Sequence, residues 1–114
     1  FLHSVYHGEK LDLEFLINSY ALKPLTLSEL SRLSGRSLSA FKREFERQFG
    51  KSPAAWIRRK RLEHAVLLLE NTGKTVSEIS YEVGYESVSH FIKAFREQYG
   101  LTPTSYLRAK IATV

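Results

Sequence analysis

The sequence predicts an all-α fold: two helix-turn-helix subdomains joined by a long connector helix, about seven helices in all. Three observations carry that expectation. The second half of the chain repeats the first, helix-capping signals recur at matching positions, and the apolar residues fall at helical rather than strand spacing.

The elements follow in order. Residues 1–9 show no period and read as a linker remnant. A helix is expected near 10–20, with Leu11, Phe15, Leu16 and Tyr20 facing inward. Leu27-Ser28-Glu29-Leu30-Ser31 is echoed by Val76-Ser77-Glu78-Ile79-Ser80, and Gly35 by Gly84. One residue is then inserted. Phe41, Phe45, Gln48, Phe49, Gly50 and Pro53 next correspond to Phe91, Phe95, Gln98, Tyr99, Gly100 and Pro103, and Trp56-Ile57-Arg58 to Tyr106-Leu107-Arg108. Two copies are too few for a solenoid and point to a duplicated small unit.

Thr26-x-x-Glu29 and Thr75-x-x-Glu78 are capping boxes, in which the threonine oxygen and the glutamate each satisfy a free backbone N–H. They open short helices near 27–34 and 76–83. Gly35 and Gly84 follow as left-handed terminators, and Ser37 and Ser87 cap the next helices, near 38–49 and 88–99. Gly50 and Gly100 close these, and Ser52-Pro53 and Thr102-Pro103 restart the chain with a hydroxyl cap and a proline at the first helical position. Leu27, Leu30, Leu33, Leu38, Phe41, Phe45 and Phe49 form one apolar side in the first unit. Val76, Ile79, Val83, Phe91, Phe95 and Tyr99 do so in the second. Two short helices around a tight glycine turn match a helix-turn-helix.

Between the units a longer helix, near 54–71, offers Ile57, Leu62, Ala65, Val66, Leu68 and Leu69 as apolar contacts and ends at Gly73. The expected organisation is therefore a first unit over 10–52, a connector helix over 53–72 and a second unit over 73–114.

Composition narrows the class. The 114 residues are 43% hydrophobic, enough for a core. There is no cysteine, so disulfides, thiol nucleophiles and cysteine zinc sites are excluded. The longest apolar run, Ala65-Val66-Leu67-Leu68-Leu69, is far short of the roughly 20 residues of a membrane span. The start lacks both a signal-peptide pattern and a methionine, and reads as the edge of a fragment cut from a longer chain. The net charge is +5, unevenly distributed: residues 32–61 carry ten basic and two acidic residues, while the stretches before and after are slightly acidic. A 30-residue window of net +8 favours a polyanion footprint over a merely solvated face.

The second unit, Ile79-Ser80-Tyr81-Glu82-Val83-Gly84-Tyr85-Glu86-Ser87-Val88-Ser89-His90-Phe91, then Phe95-Arg96 and Gly100-x-Thr102-Pro103-x-x-Tyr106, resembles the signature of the AraC/XylS family of bacterial transcription regulators. Arg61-Leu62-Glu63-His64-Ala65-Val66-Leu67-Leu68-Leu69 is similar to that family's preceding segment. The resemblance spans about residues 10–111. It departs at Ser31 and Ser80, where alanine is usual, at Glu46, where a basic residue is common, and at Leu107, often an arginine. It implies sequence-specific promoter binding, contact with RNA polymerase, and a separate regulatory domain that often dimerises. The fragment itself is then expected to be a cytoplasmic monomer, with no cofactor, while the full-length protein can be dimeric.

In such a fold the second helix of each unit enters a major groove of double-stranded DNA with its N-terminal residues at the base edges. The connector, about 27 Å long, compares with about 34 Å between successive major-groove faces, which permits two recognition helices in adjacent grooves. Candidate base contacts in the first unit are Ser39, Ala40, Lys42 and Arg43. Arg43 leads because its guanidinium can pair with guanine O6 and N7. In the second unit they are Val88, Ser89, His90, Ile92 and Lys93, a less basic face on which Ile92 reads either as a thymine-methyl contact or as an exposed aliphatic. Arg36, Arg47, Arg58 and Arg96 are candidate phosphate contacts, which position without reading sequence. In the run Arg58-Arg59-Lys60-Arg61, one or two members are expected to pair with Glu63 or pack internally.

An enzyme is disfavoured. The histidines His3, His7, His64 and His90 are scattered, no acidic pair accompanies them, and phosphate-loop patterns are missing. A helical interaction module leaves the glycine turns and the basic window unexplained. The nearer alternative is a non-specific, architectural DNA-binding helical domain.

Overall fold

The computed structural model describes residues 12–112 and is all-α over that range. Seven helices follow one another among the described residues: α1 (Leu13–Tyr20), α2 (Leu27–Leu33), α3 (Leu38–Phe49), α4 (Pro53–Asn71), α5 (Val76–Glu82), α6 (Val88–Tyr99) and α7 (Pro103–Ala112). They fall into two compact units. One takes the chain up to Ala21 together with Leu25–Ile57; the other takes Leu22–Pro24 and the chain from Arg58 onward. Helix α4 is continuous across the division. The expected linker remnant, 1–9, lies outside the described residues.

In the first unit Leu13, Leu16, Ile17, Leu30, Phe41, Phe45 and Ile57 form the buried cluster, edged by Tyr20, Leu25, Leu27, Phe49 and Trp56. Helix α1 starts three residues later than the periodicity suggested, because Asp12 caps it: its Oδ1 accepts from Phe15 N–H at 3.0 Å. That start turns Leu13, Leu16 and Ile17 inward and leaves Phe15 43% exposed, so Phe15 is not a core residue. Leu11 lies outside the described residues. Leu33 is likewise corrected, from core to 42% exposed. At its end α2 buries Ser34 instead, whose hydroxyl donates to the Ser31 carbonyl at 2.6 Å.

The second unit repeats the plan around Leu62, Ala65, Leu69, Ile79, Val83, Phe91 and Phe95. The repeat extends to ring packing. Phe41 and Phe45 lie 6.0 Å apart, Phe91 and Phe95 5.9 Å. Phe45 meets Trp56 edge-on at 6.0 Å and 75°, as Phe95 meets Tyr106 at 5.8 Å and 77°. Edge-to-face pairs of this kind add about 0.5–1.5 kcal/mol beyond the area they bury. Val66 and Leu68 pack against the second cluster from α4.

Both capping boxes form. Thr26 Oγ1 accepts from Glu29 N–H at 3.1 Å while Glu29 accepts from Thr26 N–H at 2.9 Å; the Thr75–Glu78 pair gives 3.1 and 2.8 Å. Ser31 and Ser80 are buried, as small residues should be there, and each hydroxyl donates to the carbonyl three residues back. Gly73 does not end α4 in a left-handed turn. Asn71 Nδ2 and Thr72 Oγ1 satisfy the last carbonyls, of Leu67 at 2.8 Å and Leu68 at 2.6 Å, so no glycine cap is needed.

Candidate nucleic-acid interface

Each unit presents one 12-residue helix built in the same way. Ser37 Oγ accepts from Ala40 N–H at 3.2 Å at the start of α3, and Ser87 Oγ from His90 N–H at 3.3 Å at the start of α6. One side of each helix is anchored by two fully buried phenylalanines, Phe41 and Phe45 in α3 and Phe91 and Phe95 in α6. The helical period then turns the intervening positions outward. The cap, the aromatic anchor and the preceding glycine turn together fix the direction in which the N-terminal half of each helix points.

On α3, Ser39, Lys42 and Arg43 are exposed and Ala40 is half-buried. On α6, Ser89, His90 and Lys93 are exposed, while Val88 and Ile92 are half-buried. Ile92 packs against the second core cluster and also, with Ser89, Lys93, Arg96 and Glu97, lines an open groove of about 570 Å³. The two faces therefore differ in kind: α3 offers two cations, whereas α6 offers an apolar floor rimmed by charges.

The candidate phosphate contacts are held to different degrees. Arg36 Nη1 donates to the Ser34 carbonyl at 3.3 Å, which ties its guanidinium to the turn. Arg47 is paired with Glu44, which also accepts from Gln48 Nε2 at 3.3 Å. Hydrogen bonds from Arg47 and Gln48 hold the Glu44 carboxyl down at about 2, so it is ionised at neutral pH. Arg58 is exposed and lines a hollow of about 300 Å³ with Ala94, Glu97 and Gln98, and Arg96 is exposed beside the α6 groove. The Glu44 clamp was not anticipated from sequence, although its three-residue spacing from Arg47 was the available signal.

Of the basic run on α4, Arg61 packs internally. Its Nη2 donates to the Lys23 carbonyl at 2.6 Å and its guanidinium lies 5.5 Å from the centre of the Tyr85 ring. Burial lowers the Arg61 pKa and raises that of Tyr85. No cluster of three potential metal ligands occurs among the described residues, and no described helix is long and apolar enough to cross a membrane.

A family profile described as a helix-turn-helix domain matches residues 30–109, from the middle of α2 into α7. The chain is 31% identical to a probable AraC family transcriptional regulator from Rhodopseudomonas palustris, with a TM-score of 0.67 over 84% of this chain and 90% of the other. The chain belongs to the AraC family. It is the DNA-binding domain of such a regulator. Among curated AraC-type relatives it is 35% identical over 104 residues to the HTH-type transcriptional regulator ExsA of Pseudomonas aeruginosa, covering 91% of this chain and 37% of that protein. The chain thus spans little more than a third of that relative's length. The DNA-binding domain of AdpA, the global transcriptional factor, whose structure contains a target DNA, superposes with a TM-score of 0.80 at 25% identity, covering 88% of this chain and 90% of the other.

Proposed function

We propose that this AraC-type domain reads double-stranded promoter DNA in a sequence-specific manner with both units, α3 in one major groove and α6 in the next. The observation that carries this reading is the pair of equivalent helices whose N-terminal halves stand exposed on a buried aromatic anchor. Arg43 and Lys42, with Ser39 and Ala40, read the first box. Ser89, His90 and Lys93 read the second, with Val88 and Ile92 as the apolar surface against thymine methyl groups. Arg36, Arg47, Arg58 and Arg96 hold phosphates. The target DNA in the AdpA structure supports duplex DNA as the ligand.

The two faces differ, so the site is asymmetric and one copy of the domain occupies it as a monomer. The role is binding, not catalysis. Work on promoter DNA places the protein in the cytoplasm, where a bound regulator also meets RNA polymerase. Dimerisation of the whole protein belongs to regions beyond this domain.

Selection from a randomised duplex library at moderate salt, followed by sequencing, tests the reading. Two short, non-palindromic boxes about one helical turn apart are expected. A single enriched box would restrict sequence reading to one unit. Binding without enrichment would replace specific recognition with the non-specific alternative.

A further inference from the structure

The three residues between α1 and α2 interrupt the first unit. Leu22–Pro24 belongs to the second unit, although Ala21 before it and Leu25 after it belong to the first. Its backbone lies against the turn of the second helix-turn-helix. A Cβ placed on Gly84 would stand 2.7 Å from the Leu22 carbonyl oxygen and 2.9 Å from its carbon. Gly84 is therefore required twice, by its φ of +104° and by the strap passing over its bare Cα. Gly100, at φ +79°, has open space where its Cβ would be, so there the backbone angle alone favours glycine.

Arg61 fastens the strap. It reaches the Lys23 carbonyl across 38 residues of sequence and lies over the Tyr85 ring, in the turn leading to α6. One guanidinium so ties the strap to the turn that fixes where α6 begins. Tyr85 in turn packs on Phe91 at 5.5 Å, inside the recognition helix itself. None of these groups is among the candidate DNA contacts.

We propose that Arg61 is a positioning residue for DNA reading: with the Leu22–Pro24 strap it holds the Gly84–Tyr85 turn, and hence α6, in the orientation that reads the second box. The proposal rests on the two-box reading above. Because the strap continues directly from α1, any movement imposed on α1 reaches the second recognition helix through three residues of chain.

The test is library selection repeated with Arg61→Met, Arg61→Lys, Gly84→Ala and Gly100→Ala, each at a temperature where circular dichroism shows it folded. Arg61→Met and Gly84→Ala should lower base preference in the second box about tenfold while the first box keeps its preference, as expected when a base contact is misplaced but phosphate contacts remain. Arg61→Lys should restore part of the loss, since an ammonium can still donate to the Lys23 carbonyl. Gly100→Ala should keep the second-box preference despite its backbone cost. Second-box preference surviving in folded Arg61→Met, or falling equally in both boxes, overturns the proposal. If Arg61→Met does not fold, a Gly84→Ala protein whose second box matches that of Gly100→Ala overturns it. A wild-type domain that shows no second box would instead remove the two-box reading itself.

Discussion

Replacing Val83 by serine tests whether the two turns are interchangeable in their chemistry as well as their shape. Val83 is wholly buried at the end of α5; Ser34, also wholly buried, occupies the same place at the end of α2. The backbones agree. Ser34 N–H and Val83 N–H donate to the carbonyls four residues back, at 2.9 and 3.0 Å, and Arg36 and Tyr85 each close the turn by donating five residues back at 3.0 Å. Val83→Ala removes roughly two methyl groups, about 1.6 kcal/mol of transfer free energy. The residual cavity brings the loss to about 2–3 kcal/mol. A buried hydroxyl without a partner would add about 1–3 kcal/mol. In the first unit, however, the equivalent hydroxyl donates to the Ser31 carbonyl at 2.6 Å, and a serine at 83 finds the Ser80 carbonyl in the same relation. Val83→Ser should therefore lie within about 1 kcal/mol of Val83→Ala. Urea unfolding followed by far-ultraviolet circular dichroism measures the pair. A Val83→Ser protein less stable than Val83→Ala by 2 kcal/mol or more would refute the equivalence of the turns.

Other consequences are directly measurable. Arg43→Ala should cost roughly 1–3 kcal/mol on the selected site and relax preference at one base position; an equal loss on random DNA would remove its base-reading role. Glu44→Gln, which releases Arg47 from its carboxylate partner, should tighten binding to any duplex and steepen the fall of log K with log salt by about 0.9 for each phosphate gained; fluorescence anisotropy across a salt series would reveal no change if Arg47 stays away from DNA. Thr75→Ala should cost about 1 kcal/mol in thermal or denaturant unfolding. The Thr26 and Thr75 caps hold Glu29 and Glu78 below the ordinary value of 4.5. Their contribution is therefore present above that value and is lost as pH falls through the lower, folded-state one. The melting temperature should drop on acidification below about 4.5, and less steeply in a Thr26→Ala, Thr75→Ala double variant.

The helices and their order were legible because local signals specify them. The capping boxes, the serine caps and the glycine terminators act within a turn of their own position, so α3 and α6 were expected with the bounds they have. The same locality explains the exposed N-terminal halves of both helices, since Phe41, Phe45, Phe91 and Phe95 commit one side of each to the core. Where the reading slipped, a local signal had been passed over. Asp12 caps α1, and the 49-residue offset of the repeat already paired Ser34 with buried Val83 and Leu33 with exposed Glu82.

The sequence by itself determined an all-α duplicated domain, its helix ends, its aromatic cores and the family it resembles, because capping, periodicity and repetition are short-range properties of a chain. Tertiary structure decided what depends on distant residues meeting. It took Arg61 out of the basic stripe and set it on the Lys23 carbonyl, and it placed Leu22–Pro24 against Gly84. No periodicity in one segment encodes a contact with a backbone carbonyl 38 residues away, because that partner carries no side-chain signature.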